Sequence, residues 1–123
     1  MVSKRQSGAF NLGVLASGGG TNFQSILDRC ISGELSAQVG VLISNNSQSG
    51  ALERARRAGI PVYHLSSWTH PDPDKLDREI TRALRKHRVN LVVLAGYMKK
   101  LGMNLLDEFS NRVINVHPAL LPA

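Results

Sequence analysis

At 123 residues the chain is the size of one domain, and with 42% hydrophobic and 20% charged residues it can bury a core, which excludes a low-complexity or disordered segment. No apolar run reaches the length of a membrane span, and residues 1–11 lack the apolar stretch of a signal peptide, so a cytoplasmic protein with no membrane partner is expected. The 15 basic against 9 acidic residues, a net charge of +6, favour acidic ligands, either small molecules or nucleic acid.

Residues 1–10 are polar and basic and read as a flexible tail, leaving 11–123 as the folded part. Leu12–Ala16 is a short buried-strand run, followed by Ser17-Gly18-Gly19-Gly20-Thr21-Asn22. Phe23, Ile26, Leu27, Cys30 and Ile31 then repeat at the spacing of one helical stripe, with Gly33 as a stop. Cys30 is the only cysteine, so no intrachain disulfide forms, and its place in the stripe reads as small core filling. Val39–Ile43 is a second strand, ending in the polar run Ser44-Asn45-Asn46-Ser47. A helix around Ala51–Ala58 stops at Gly59, and Pro61–Leu65 is a third strand. Pro71, Asp72 and Pro73 open a helix carrying Leu76, Ile80 and Leu84 on one face. Leu91–Ala95 is a wholly apolar fourth strand, and a helical turn near Leu105–Phe109 leads to a fifth, Val113–His117.

Apolar strands alternating with helices mean an α/β fold: an open parallel sheet with helices on both faces. Right-handed crossovers bring every strand's C-terminal end to one edge. The glycine loop, the Ser44–Ser47 run, Gly96–Leu101 and Asn115–His117 all fall there. Arg54, Arg56 and Arg57, like Arg82, Arg85, Lys86 and Arg88, lie in helical patterns and read as solvated faces. Aromatics are few and not interleaved with these cations, so no nucleic-acid partner is expected.

Three glycines between a strand and a helix N-terminus let backbone N–H groups close on an anion, and Thr21 or Asn22 could cap the helix and donate to the ligand. A dinucleotide fingerprint would want glycine where Phe23 stands and an acidic residue at the end of the second strand, where the chain has Ser44-Asn45-Asn46. The loop also lacks the Lys-Ser/Thr pair of a nucleoside-triphosphate loop. A small phosphorylated metabolite remains.

Asn115 and His117 are two apart on a strand, so they leave one face together, while Ile114 and Val116 take the other. An amide beside an imidazole can hold a reacting carbonyl and move a proton, as acyl transfer requires. His64, His70 and His87 fit a strand end, a proline-rich loop and a helix terminus, and read as structural or exposed. There is no serine elbow, no HExxH and no cysteine cluster, so neither a metal nor a covalent nucleophile is expected.

Gly18-Gly19-Gly20-Thr21-Asn22, Val93-Leu94-Ala95-Gly96-Tyr97-Met98 and Ile114-Asn115-Val116-His117-Pro118-Ala119-Leu120-Leu121-Pro122, in this order, resemble the folate-dependent glycinamide ribonucleotide (phosphoribosylglycinamide) formyltransferases of purine biosynthesis. The likeness runs from about Leu12 to the end of the chain. It implies a Rossmann-like formyltransferase fold and transfer of a formyl group from 10-formyltetrahydrofolate to the amine of glycinamide ribonucleotide. Carried over by position, Gly20, Thr21 and Asn22 would bind the substrate phosphate. Met98, Lys99, Lys100 and Leu101, together with Asn115, would meet the folate, and Asn115 and His117 would be catalytic. The proline after the histidine is unlike methionyl-tRNA formyltransferases and formyltetrahydrofolate deformylases.

Two departures shape the expectation. Pro73 stands where the family often has an arginine near the folate tail, with Lys75 the nearest cation. The family also continues beyond Leu-Leu-Pro with an aspartate that partners the histidine, a folate-binding loop and further strands. Residues 11–123 are therefore expected to be the N-terminal, phosphate-binding part of a truncated enzyme, with impaired turnover. Its last strand would be an open edge, inviting aggregation, a homodimer or a need for the remaining segment. The alternatives are an inactive half-enzyme or a module that only binds a phosphorylated metabolite.

Overall fold

The computed structural model describes residues 10–116. Along the chain run β1 (Phe10–Ala16), α1 (Thr21–Ile31), β2 (Ala37–Ser44), α2 (Gly50–Arg57), β3 (Val62–His64), α3 (Pro73–Lys86), β4 (Leu91–Leu94), α4 (Met103–Glu108) and β5 (Val113–Asn115). The strands form one sheet in the order β3-β2-β1-β4-β5, and every pairing is parallel. This is the α/β architecture that the alternating apolar runs predict.

The sheet is covered on both sides because its strands are apolar on both sides. Phe23, Ile26 and Leu27 of α1 and Ala51, Leu52 and Ala55 of α2 pack with Leu12, Val14, Leu42 and Val93. On the opposite face Leu76, Ile80 and Leu84 of α3 and Leu105 of α4 pack with Leu15, Val41, Ile43 and Val92. Each fully buried side chain of this size contributes roughly 1.5–3 kcal/mol. Cys30 lies at the margin of the first cluster, and burial pushes its thiol above the ordinary value, which disfavours the reactive thiolate.

Two boundaries differ from the sequence reading. Phe10 pairs with Ala37 and belongs to β1, so the tail expected over 1–10 loses its last residue to the sheet; residues 1–9 lie outside those described. β5 ends at Asn115, with the Val116 N–H still donating to the Leu94 carbonyl at 2.9 Å. His117, expected in that strand, lies outside the described residues.

Side chains at the ends of elements fix how the layers meet. The Asn11 N–H donates to Asn90 Oδ1 at 2.8 Å and the Asn90 N–H returns to the Asn11 carbonyl at 2.9 Å, which joins the starts of β1 and β4. Asn11 Nδ2 donates to the His87 carbonyl at 2.6 Å, holding the end of α3 against the same point. Helix α3 is capped locally by Asp72, which accepts from the Asp74 N–H at 3.0 Å, with Pro73 in the first turn. Helix α4 has Gly102 at its cap and no cap side chain of its own. Asp77 of α3 supplies one through space: its buried carboxylate accepts from the Asn104 N–H at 2.7 Å, Asn104 Nδ2 at 2.8 Å and the Leu105 N–H at 3.2 Å. A Cβ on Gly102 would fall 2.2 Å from that carboxyl carbon, so the cap and the glycine require each other.

Asp77→Ala strands two backbone donors at the start of a two-turn helix. Urea denaturation should show a loss of about 1–3 kcal/mol. A change within experimental error would mean that water replaces the carboxylate.

Candidate functional site

Successive strands are added on one side of β1 as far as β3, and β4 then returns to its other side. The crevice outside the carboxyl ends of β1 and β4 is the switch point where open parallel sheets take ligands. Three of the polar segments singled out above are joined there. The Ser17 N–H donates to the Gly96 carbonyl at 3.2 Å and Ser17 Oγ accepts from the Met98 N–H at 2.8 Å. Asn46 Nδ2, from the polar run after β2, donates to the Ser17 carbonyl at 3.2 Å.

The glycine loop leads into α1 through Gly20, which is the N-cap in left-handed conformation, φ 88°. Neither Thr21 nor Asn22 caps the helix, contrary to expectation: both lie inside its first turn, and no side chain accepts there. A left-handed cap gives no side chain the extended geometry from which a hydroxyl or amide reaches back. The N–H groups of Thr21, Asn22 and Phe23 have no intrahelical partner, so they and the positive end of the helix dipole are open to an anion. A Cβ on Gly20 would lie 2.6 Å from Ala51 Cα, and one on Gly50 would lie 2.4 Å from the Gly19 carbonyl oxygen. The N-termini of α1 and α2 therefore meet backbone to backbone.

The loop carbonyls turn toward α2. Gly18 O accepts from Ser49 Oγ at 2.9 Å and the Ala51 N–H at 3.3 Å, and Gly19 O accepts from Arg54 Nε at 3.0 Å. The sequence reading placed Arg54 with Arg56 and Arg57 on a solvated face. Arg56 and Arg57 are exposed, but Arg54 is half-buried against the loop. Its signal in the sequence is one turn of helix: Gly50 starts α2, and Arg54 sits directly above it at i+4.

Beyond β4, Met98, Lys99 and Lys100 are exposed and Leu101 is half-buried. Tyr97, Lys99, Lys100 and Leu101 form one wall of a cavity of about 240 Å³, and Pro73, Leu76, Ile80 and Leu105 form the other. Burial raises the Tyr97 phenol above its ordinary value, so it is neutral throughout the physiological range. Neither Lys99 nor Lys100 is in an ion pair among the described residues.

Asn115 is in register with Leu94 and is exposed at the same edge. Val116 packs with the α1 side of the sheet and Val113 with the α3 side, so alternation gives Asn115 the face that carries the cavity. The remaining histidines sit apart: His64 ends β3, His70 Nδ1 is 2.9 Å from Thr69 Oγ1, and His87 Nε2 is 2.8 Å from the Tyr63 hydroxyl.

The family described as "Formyl transferase" matches residues 10–123. A chloroplastic phosphoribosylglycinamide formyltransferase of Arabidopsis thaliana is 41% identical over 113 residues, covering 91% of this chain and 39% of the relative. The phosphoribosylglycinamide formyltransferase of Escherichia coli K12 is 36% identical over 112 residues, 91% of this chain and 53% of the relative. The crystal structure of glycinamide ribonucleotide transformylase 1 from Symbiobacterium toebii superposes with a TM-score of 0.87 at 42% identity, over 96% of this chain and 56% of that one. The chain thus spans about half the length of the relatives it matches.

The contact between α2 and the loop decides the sign of one substitution. Gly50 is helical, so Gly50→Ala would by propensity alone stabilise by up to about 1 kcal/mol. The new methyl group meets backbone rather than a yielding side chain, and overpacking of this kind costs about 1–3 kcal/mol. Thermal denaturation should therefore show net destabilisation; a raised midpoint would refute the close approach.

Proposed function

Since this chain belongs to the formyl transferase family, we propose that it is the phosphate-binding part of a phosphoribosylglycinamide formyltransferase, a cytoplasmic enzyme that moves a formyl group from 10-formyltetrahydrofolate to the amine of glycinamide ribonucleotide. The observation that carries this reading is the Ser17 junction: its N–H binds Gly96 and its hydroxyl binds Met98, so the anion loop and the segment beside the cavity share one residue. An enzyme passing a formyl group from a folate to a phosphorylated amine must hold both ligands within reach of one carbon, and this junction brings the glycine loop and the Met98 segment side by side.

In this reading the phosphate meets the N–H groups around Gly20, Thr21 and Asn22 at the start of α1. The folate lies along Met98–Leu101. The cavity supports this reading: Leu76, Ile80 and Leu105 offer apolar surface to a ring, and the exposed Lys99 and Lys100 offer cations to an acidic tail. The substrate amine attacks the formyl carbon, and charge develops on the carbonyl oxygen. Asn115 donates a hydrogen bond to that oxygen, where a preorganised donor strengthens as the charge grows. As the bond from the formyl carbon to the folate nitrogen breaks, His117 in its protonated form gives its proton to that nitrogen, and the proton lost by the attacking amine restores it. An unperturbed imidazole, with a pKa of about 6.5, is mostly neutral at physiological pH, so a neighbouring carboxylate would be needed to keep it charged.

Formyl transfer from 10-formyltetrahydrofolate to glycinamide ribonucleotide is the direct assay. His117→Ala is expected to lower the rate about 100-fold or more, and Asn115→Ala about 100–1000-fold. Turnover that survives His117→Ala removes this residue from the mechanism. Ribonucleotide binding without folate binding or turnover, read by calorimetry, would reduce the chain to a phosphorylated-metabolite-binding module.

A further inference from the structure

We propose that Arg54 is a positioning residue for the phosphate site: it turns the Gly20 N–H toward the ligand by holding the opposite end of the same peptide, the Gly19 carbonyl. The inference rests on the reading of the glycine loop as a phosphate site and adds to it the side chain that shapes the loop.

A trans peptide carries its C=O and its N–H on opposite sides, so fixing one aims the other. Among the described residues every peptide is trans. Three consecutive carbonyls are fixed from one direction, by donors from residues 46–54. Ser17 O accepts from Asn46 Nδ2 at 3.2 Å, Gly18 O from Ser49 Oγ at 2.9 Å, and Gly19 O from Arg54 Nε at 3.0 Å. The N–H groups of Gly18, Gly19 and Gly20 therefore face away from α2. Arg54 Nη1 extends the same brace to Gln24 Oε1 in the first turn of α1 at 3.4 Å.

The third peptide depends on Arg54 most. Gly18 O has a second donor in the Ala51 N–H, whereas the guanidinium is the donor recorded for Gly19 O among the described residues. The Gly19–Gly20 peptide also has an accessible alternative. Rotating it by half a turn would take Gly20 from φ 88° to a negative φ, and glycine populates both about equally. In the rotated form the Gly20 N–H points at α2 and the carbonyl oxygen faces the anion. A guanidinium that donates to that oxygen selects the binding form before the ligand arrives.

Two substitutions separate this role from attraction by the positive charge. Arg54→Gln keeps an N–H donor as many bonds from the backbone as Nε but removes the charge. Arg54→Met keeps the side chain as far as the position of Nε and removes donor and charge together. Calorimetric titration of the whole 123-residue chain would use glycinamide ribonucleotide and its dephosphorylated riboside. Arg54→Met should weaken the ribonucleotide about tenfold, the worth of one aligned hydrogen bond, and leave the riboside unchanged. Arg54→Gln should stay close to wild type, and its Gly20 amide resonance should keep its wild-type position. A comparable loss in Arg54→Gln, or no loss in Arg54→Met while the wild type still prefers the ribonucleotide, overturns the positioning role. A wild type that binds ribonucleotide and riboside equally overturns the phosphate reading instead, and the role of Arg54 falls with it.

Discussion

Backbone polar groups that leave a sheet must find new partners, and the turn from β1 into α1 meets this constraint at the centre of the molecule. Its carbonyls go to Asn46, Ser49, Ala51 and Arg54, and its first N–H goes to Gly96. The turn is thereby bound to the ends of two neighbouring strands. The close approach of α2 follows from it, because Ser49 caps α2 and binds Gly18 with the same hydroxyl. Gly20 and Gly50 follow too, since neither position has room for a Cβ.

The other half of the edge is built by a different device. The segment after β4 carries Tyr97 and Leu101 across to α3, and the cavity exists because α4 is held at a fixed distance beyond it. That distance is set by Asp77, which occupies the place of a missing cap side chain on α4. A helix of six residues cannot form on its own propensity. It depends on Leu105 beneath it and on the carboxylate at its start. The Arg85–Glu108 pair at its other end is exposed and adds little beyond holding Glu108 below its ordinary carboxylate value.

The sequence was legible where one local rule decides the outcome. Apolar runs and helical stripes gave the elements and the parallel sheet, and strand polarity alone brought the glycine loop, Gly96–Leu101 and Asn115 to one edge. It was less legible where a residue's partner lies far along the chain. Asp77 sits between Leu76 and Ile80 in a helical repeat, and nothing local marks it as the cap of another helix. Arg54 belongs to a basic run whose other members are solvated, and only the contact with Gly19 separates it from them. The expected cap at Thr21 or Asn22 failed because local capping rules assume an extended cap residue, and tertiary contact with α2 selected a left-handed glycine instead.

These two kinds of construction imply different chemistry at the two ends of the site. At the glycine loop the groups proposed to meet the ligand are backbone N–H groups. Open space surrounds Gly18 and Gly19, where an added Cβ would meet nothing within 4 Å. A surface of this kind reads charge and size, and its tuning lies in the residues behind it, which aim the peptides. At β5 the proposed group is a side chain, Asn115, on an exposed strand end, so identity there matters atom by atom. A reaction that binds one partner by its phosphate and alters the other at a single carbon needs both kinds of surface. Ser17 ties the glycine loop to the segment after β4, and Asn115 lies beside Leu94 at the same edge, which is the geometry the formyl transfer reading draws on.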